Sequence, residues 1–120
     1  LPHQRHVDAA VSFVSGGIGE GEAQRLEREA QHFPLAVELF EHATPRDEYT
    51  SDAIVRIDRV SDGRVMVDAK ARGPFMLVRL PAGEYRVSAM LNGHGLPEQR
   101  VHVTDAGHAK TTFVFPSHAG

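Results

Sequence analysis

The sequence predicts a mainly β fold: an antiparallel sandwich of about seven short strands, preceded by one N-terminal α-helix. Three observations lead there. From Leu35 to Phe115 apolar side chains recur at alternate positions in short runs, the pattern of strands with one buried face. Turn signals separate those runs at a spacing of roughly 8–12 residues, as in all-β sandwiches. Only the stretch Glu20–His32 places apolar residues at helical spacing instead.

Residues 1–9, with Pro2 and two histidines, show no periodicity and read as a flexible lead into a strand at about 10–15, around Val11 and Phe13. Gly16-Gly17-Ile18-Gly19 breaks that strand. The helix Glu20–His32 follows, with Ile18, Ala23, Leu26, Ala30 and Phe33 on one narrow stripe. Glu20 and Glu22 sit in its first turn, where the helix dipole favours acids, and Arg25 with Glu29 forms an i,i+4 pair. Pro34 disfavours a helical Phe33 and ends the element. A helix this short is marginal in water alone, so Leu26, Ala30 and Phe33 should pack on the sandwich.

Beyond Pro34 the period becomes two, with Leu35, Val37 and Leu39 on one face. Glu41–Asp52 is polar, contains Pro45 and reads as a loop. Ile54–Val60 and Val65–Lys70 flank Asp62-Gly63, a strong hairpin signal. Gly73-Pro74 turns the chain into Phe75–Leu80. Pro81 then presets φ for a β-turn closed by Gly83, which reads as a hairpin into Tyr85–Leu91, where Tyr85, Val87 and Ala89 share a face. Asn92-Gly93 turns the chain again, Val101 and Val103 mark the next strand, and Asp105-Ala106-Gly107 reads as a last hairpin turn before Thr111, Phe113 and Phe115. Residues 116–120 form a tail expected to fray. The expected core is Val37, Leu39, Val55, Ile57, Val65, Val67, Leu77, Tyr85, Val87, Val101, Val103 and Phe113.

A chain of 120 residues is one domain by length: lead 1–9, strand and helix 10–34, sandwich 35–115 and tail 116–120. Its 41% hydrophobic and 24% charged residues fit a globular domain, so wholesale disorder is not expected. The net charge is −3, with 13 basic residues scattered among 16 acids, and no basic stripe suited to nucleic acid emerges. The absence of cysteine excludes disulfides and thiolate zinc sites. No apolar run approaches the roughly 18 residues of a membrane span, so membrane insertion is not expected. The chain starts at Leu1 rather than Met, which suits a cleaved or trimmed product, a removed secretion signal being one explanation.

The order strand, Asp62-Gly63, strand, Gly73-Pro74-Phe75, Leu80-Pro81-Ala82-Gly83-Glu84-Tyr85, strand, Gly93, strand, over Ala53–Val103, resembles the carboxypeptidase regulatory-like, or transthyretin-like, domain. Val14–Glu20, the helix and Leu35–Phe40 add a likeness to small bacterial envelope proteins of that layout. The resemblance implies a transthyretin-like or Ig-like sandwich and a periplasmic or secreted address, and it implies no catalytic residues. Hydroxyisourate hydrolases of the broader class end in Tyr-Arg-Gly-Ser, whereas this chain reads Phe115-Pro116-Ser117-His118, which argues against that activity.

Eight histidines invite a metal reading that their spacing discourages. His3 and His6 fall in the lead, His32 at the helix end, His42 and His94 in or beside loops, and His118 in the tail. Only His102 and His108 come together, on the outer face of the last hairpin, and no third ligand accompanies them, so no metal site or cofactor is assigned. Gly16–Gly19 before a helix suggests a phosphate cradle, but it lacks a Gly-Lys-Ser/Thr ending, and Glu20 and Glu22 would repel an anion. The plainer reading is a strand-to-helix connection. Ser12, Ser15, Ser51, Ser61, Ser88 and Ser117 occur in no nucleophile motif, and Asp47-Glu48 reads as a solvated pair.

The function expected is therefore a non-enzymatic binding or interaction module of the bacterial envelope. Its partner would be another envelope protein or a small ligand, held at the end loops Ala43–Asp52 and Asn92–Pro97 or the neighbouring edge strand. The rivals are a metal-dependent or hydrolytic protein using His102 and His108, and a structural subunit of an envelope assembly.

Overall fold

A computed structural model of the protein describes residues 4–8, 11–17, 19–44, 47–50 and 52–117. Strands β1 (Gln4–Asp8), β2 (Val11–Gly16), β3 (Leu35–Glu41), β4 (Glu48–Tyr49), β7 (Phe75–Arg79) and β11 (Ala109–Phe115) form one sheet, in the order β1-β2-β7-β3-β11 with β4 paired to β3. Strands β5 (Ile54–Arg59), β6 (Val65–Lys70), β8 (Gly83–Leu91), β9 (His94–Gly95) and β10 (Gln99–Val103) form the other, in the order β10-β8-β5-β6 with β9 paired to β8. The expected mainly β sandwich with one helix is what forms. All pairings are antiparallel except β11 with β3, which run parallel from Ala109 opposite Leu35 to Phe115 opposite Glu41.

Between the sheets lie Phe13, Val37, Leu39, Val55, Ile57, Val67, Met76, Val78, Tyr85, Val87, Val103, Phe113 and Phe115, each almost fully excluded from solvent. Most of the expected core is there. Val65 and Val101 are only half-buried. A register shift between Ile57 and Asp58 leaves Met66 as an extra residue in β6, so Met66 and Val67 both enter the core and Val65 is turned toward the rim.

Leu77 is buried on the other side of its sheet. β7 is covered on both faces: Met76 and Val78 point between the sheets, while Phe75 and Leu77 point outward under the helix. That double burial explains why Phe75–Val78 reads as an unbroken apolar run. Helix α1 (Glu20–Glu29) and the 3-10 turn Ala30–His32 lay Ala23 and Leu26, with half-buried Ala30 and Phe33, on Ala36, Phe75 and Leu77. Phe33 is extended at φ −116° and ψ 144°, as a residue before proline prefers. Ile18, the first member of the predicted stripe, lies outside the described residues.

Two expected hairpins are instead crossings between the sheets. The Pro81 corner leaves β7 in the first sheet and enters β8 in the second, and the Thr104–His108 segment leaves β10 in the second and enters β11 in the first. What turns the first crossing is Tyr85, fully buried, whose hydroxyl donates to the Pro81 carbonyl at 2.6 Å. Burial pushes the Tyr85 phenol above its ordinary pKa. Part of the predicted lead is strand β1, paired to β2; the sequence Gln-Arg-His-Val-Asp lacks apolar alternation, so backbone pairing holds an edge strand that periodicity does not signal. Residues 1–3, 9–10 and 118–120, the remainder of lead and tail apart from Pro116 and Ser117, lie outside the described residues.

The two strongest hairpin signals fold as read. Asn92 and Gly93, at φ 48° and 81°, form a two-residue turn with both central φ values positive, joining β8 to β9. In the β5–β6 hairpin Gly63 takes φ 71°, and Asp62 accepts bonds from Arg59 Nε at 3.0 Å, Arg59 Nη2 at 2.7 Å and the Arg64 backbone N–H at 3.1 Å. The Arg59 guanidinium first, and the Arg64 N–H second, hold the Asp62 carboxyl down to about 2. Among the described residues no helix is long and apolar enough to cross a membrane.

Three outcomes follow from this packing. Leu77→Ala should cost about 2–5 kcal/mol in chemical denaturation. Combined with Leu26→Ala it should cost less than the sum, since both side chains line one layer; full additivity would mean that the helix is not seated there. Tyr85→Phe keeps the ring and removes one bond, so it should lose roughly 1–2 kcal/mol, and an unchanged denaturation midpoint would remove the hydroxyl from the account of the corner. Because the Asp62 pKa is lower in the folded chain than its ordinary 3.8, its contribution is intact above about pH 4 and lost as pH falls toward about 2. Asp62→Asn should therefore flatten the acid limb of stability against pH; an identical limb in wild type and variant would contradict the assignment.

Candidate functional site

Pairing register puts three connections side by side at one end of the sandwich. Leu35 lies opposite both Val78 and Ala109, and Val103 lies opposite Gly83. The entry to β3, the exit from β7 and the crossing from β10 to β11 therefore converge. The Ala109 N–H donates to the Pro34 carbonyl at 2.8 Å and ties the crossing to the helix end. Between them opens a groove of about 480 Å³, walled by Gln31–Pro34, Arg79–Pro81 and Thr104–Gly107.

Arg79 is the ordered cation of this groove. It is the last residue of β7, where the strand emerges from beneath the helix, and its guanidinium carbon stands 4.4 Å from the centroid of the Phe33 ring. Such a contact, worth about 0.5–1 kcal/mol at an exposed site, holds the guanidinium without neutralising it. Among the described residues Arg79 makes no ion pair. His32 lies at the groove from the last turn of the 3-10 segment, and Asp105 also lines it from the Thr104–Gly107 segment, exposed and, among the described residues, without an ion-pair partner. Leu80, 7% exposed, gives the wall its most deeply buried apolar side chain.

The residues singled out by sequence lie elsewhere or are otherwise engaged. His102 and His108 do not share a hairpin: His102 belongs to edge strand β10 of the second sheet, and His108 precedes β11 of the first. Their expected pairing rested on a hairpin that is a crossing. His102 Nδ1 meets Glu84 Oε1 at 2.8 Å across the β8–β10 ladder, where the two are direct neighbours on an exposed face. His42 pairs with Asp47 at 3.0 Å, and exposed His94 lies in β9. His6 lies in β1, whereas His3 and His118 fall outside the described residues. Among the described residues no group of three or more His, Cys, Asp or Glu is placed to hold a metal ion.

The glycine loop before the helix carries its own anion. The Gly17 N–H donates to Glu22 Oε1 at 3.0 Å, so a side chain of the first helical turn occupies the position a phosphate oxygen would need. Gly17 adopts φ +105° with the Phe75 ring close beneath it, and a Cβ on Gly73 would strike the Gly16 carbonyl. Close packing explains those glycines. Ser15 is buried and its hydroxyl accepts from the Arg72 N–H at 3.1 Å, and the Ser117 hydroxyl donates to the His42 carbonyl at 2.8 Å.

The expected end loops stand at the far end of the sandwich. Asn92–Pro97 holds the tight turn and β9, and Ala43–Asp52 holds β4, with residues 45, 46 and 51 outside the described residues. The edge strands meet across the open side of the sandwich instead. Gln99 Nε2 donates to the Thr112 carbonyl at 2.8 Å and the Thr111 hydroxyl donates to Gln99 Oε1, bridging β10 to β11. Nothing in the sequence flags the groove, because Phe33, Arg79 and Asp105 are brought together only by the sheet pairing. No protein-family model matches the chain, and a search of curated proteins returns no match.

Proposed function

We propose that the protein is a non-enzymatic binding module that holds a small ligand or a peptide end in the groove between the helix end, the Pro81 corner and the Thr104–Gly107 crossing. The observation that carries this reading is Arg79: a guanidinium over the Phe33 ring, lining a concave surface and, among the described residues, in no ion pair. Arginine in such a setting is a recognition group for a planar oxyanion. The volume of about 480 Å³ suits a ligand of modest size. Against a hydrolytic or metal-dependent role stand the placement of His102 in β10 and of His108 in the crossing before β11, which do not form one hairpin, and the engagement of Ser15 with backbone. The resemblance of residues 53–103 to carboxypeptidase regulatory-like domains supports an address in the periplasm or outside the cell.

The test is amide chemical-shift mapping of the isotopically labelled chain against a mixed set of amino acids, short peptides and small carboxylates. Shifts should gather at residues 31–33, 79–80 and 104–107. Shifts confined to residues 92–97, or none with any member of the set, would overturn the groove as the binding site.

A further inference from the structure

We propose that the ligand of this groove is zwitterionic, of the amino-acid or short-peptide class, with its carboxylate on Arg79 and its ammonium on Asp105. The inference rests on the groove being the binding site. It starts from two opposite charges that line one concavity and do not pair with each other. They belong to different elements: Arg79 ends β7 and stands over the Phe33 ring, and Asp105 lies in the crossing whose far end is joined to Pro34 by the Ala109 bond.

The two charges select against the simpler ligands. A phosphate drawn to Arg79 would meet the Asp105 carboxylate in the same groove, and a metal cation drawn to Asp105 would meet the Arg79 guanidinium. A molecule that carries both signs satisfies both. Its carboxylate matches the free planar fork of N–H donors on Arg79, whose ring-covered face is already occupied. Between the charged ends, Phe33, Pro34, Leu80 and Pro81 offer an apolar wall on which a hydrophobic side chain of the ligand can rest. His32 supplies a further polar group beside it.

The probes are the dipeptide leucyl-leucine, its C-terminal amide, its N-acetyl form and inorganic phosphate, each titrated by amide shift mapping into wild type and into the Arg79→Gln and Asp105→Asn variants. The free dipeptide should bind tightest. Amidation should weaken it by about tenfold in wild type, the loss of one charge-assisted contact, and should change nothing further in Arg79→Gln. Acetylation should act likewise in wild type and lose its effect in Asp105→Asn. The ligand arms in wild type stand even where a variant folds poorly, and Arg79→Lys, keeping the charge without the fork, should recover only part of the affinity. Groove shifts indifferent to blocking either end, or phosphate binding tighter than the dipeptide, would overturn the zwitterion while leaving the groove as a site. An unperturbed groove with every probe would overturn the site itself.

Discussion

A buried phenol cannot be left without a hydrogen-bond partner, and in this chain that demand falls where the two sheets are joined. Tyr85 is fully excluded from solvent, at the start of β8, the central strand of the second sheet. Its hydroxyl finds the Pro81 carbonyl four residues back, at 2.6 Å. The bond closes a short loop across the corner and so sets the direction in which β8 leaves the first sheet, the geometry of a tyrosine corner. Since β5, β9 and β10 all pair with β8, the placement of the second sheet over the first follows from that turn. So does the groove, because the turn places exposed Arg79 and Pro81, with buried Leu80 between them, at the sandwich end.

The same constraint marks the boundary of what local sequence reports. Alternation located the long strands, Asp62-Gly63 and Asn92-Gly93 located their hairpins, and Pro34 located the end of the helix, because each of these signals is a steric property of a few adjacent residues. Leu-Pro-Ala-Gly is different. Pro81 has the same preferred φ whether the chain folds back beside its own strand or crosses to the facing sheet, and the choice lies in a tertiary contact, the Tyr85 ring entering the core. Asp105-Ala106-Gly107 is equally silent, and the parallel pairing of β11 with β3 joins residues more than seventy positions apart. The phase of Leu77 failed for a related reason. In a strand covered on both faces every residue is apolar, so period two no longer says which side meets the sandwich and which meets the helix.

No sequence signal pointed to the proposed groove. Histidine and glycine are conspicuous in a sequence, yet His102 is held in a cross-strand pair on a flat exposed face and Gly17 serves the carboxylate of Glu22. Arg79, Phe33 and Asp105 are ordinary residues whose significance is wholly positional. They become a group only after the sheet order brings the end of β7, the entry to β3 and the crossing into β11 to one place.

A sandwich offers partners its edges, its faces and its ends, and here some of the edges and faces already carry internal contacts. On one side the Gln99 amide bridges the edge strands β10 and β11, taking up a carbonyl that an added strand would otherwise use. At the edge of the second sheet the extra residue Met66 bulges β6 and disturbs the ladder it would present. The helix covers the outer face of the first sheet around Ala36, Phe75 and Leu77, while Val114 on β11 stays exposed. The outer face of the second sheet carries three charge pairs, Arg56 with Asp58, Arg86 with Glu98 and His102 with Glu84, beside exposed Ile54 and Met90, which lie opposite each other on β5 and β8. Pairs of that kind hold a surface in water and give an approaching molecule little to gain, because each charge already has its partner. The groove beside the Tyr85 corner is the reverse case, a concave surface lined by Arg79 and Asp105, neither of which has an ion-pair partner among the described residues. A ligand of the proposed kind would exchange water for counter-ions at two charges without first breaking bonds within the protein, which lowers the cost its binding must overcome.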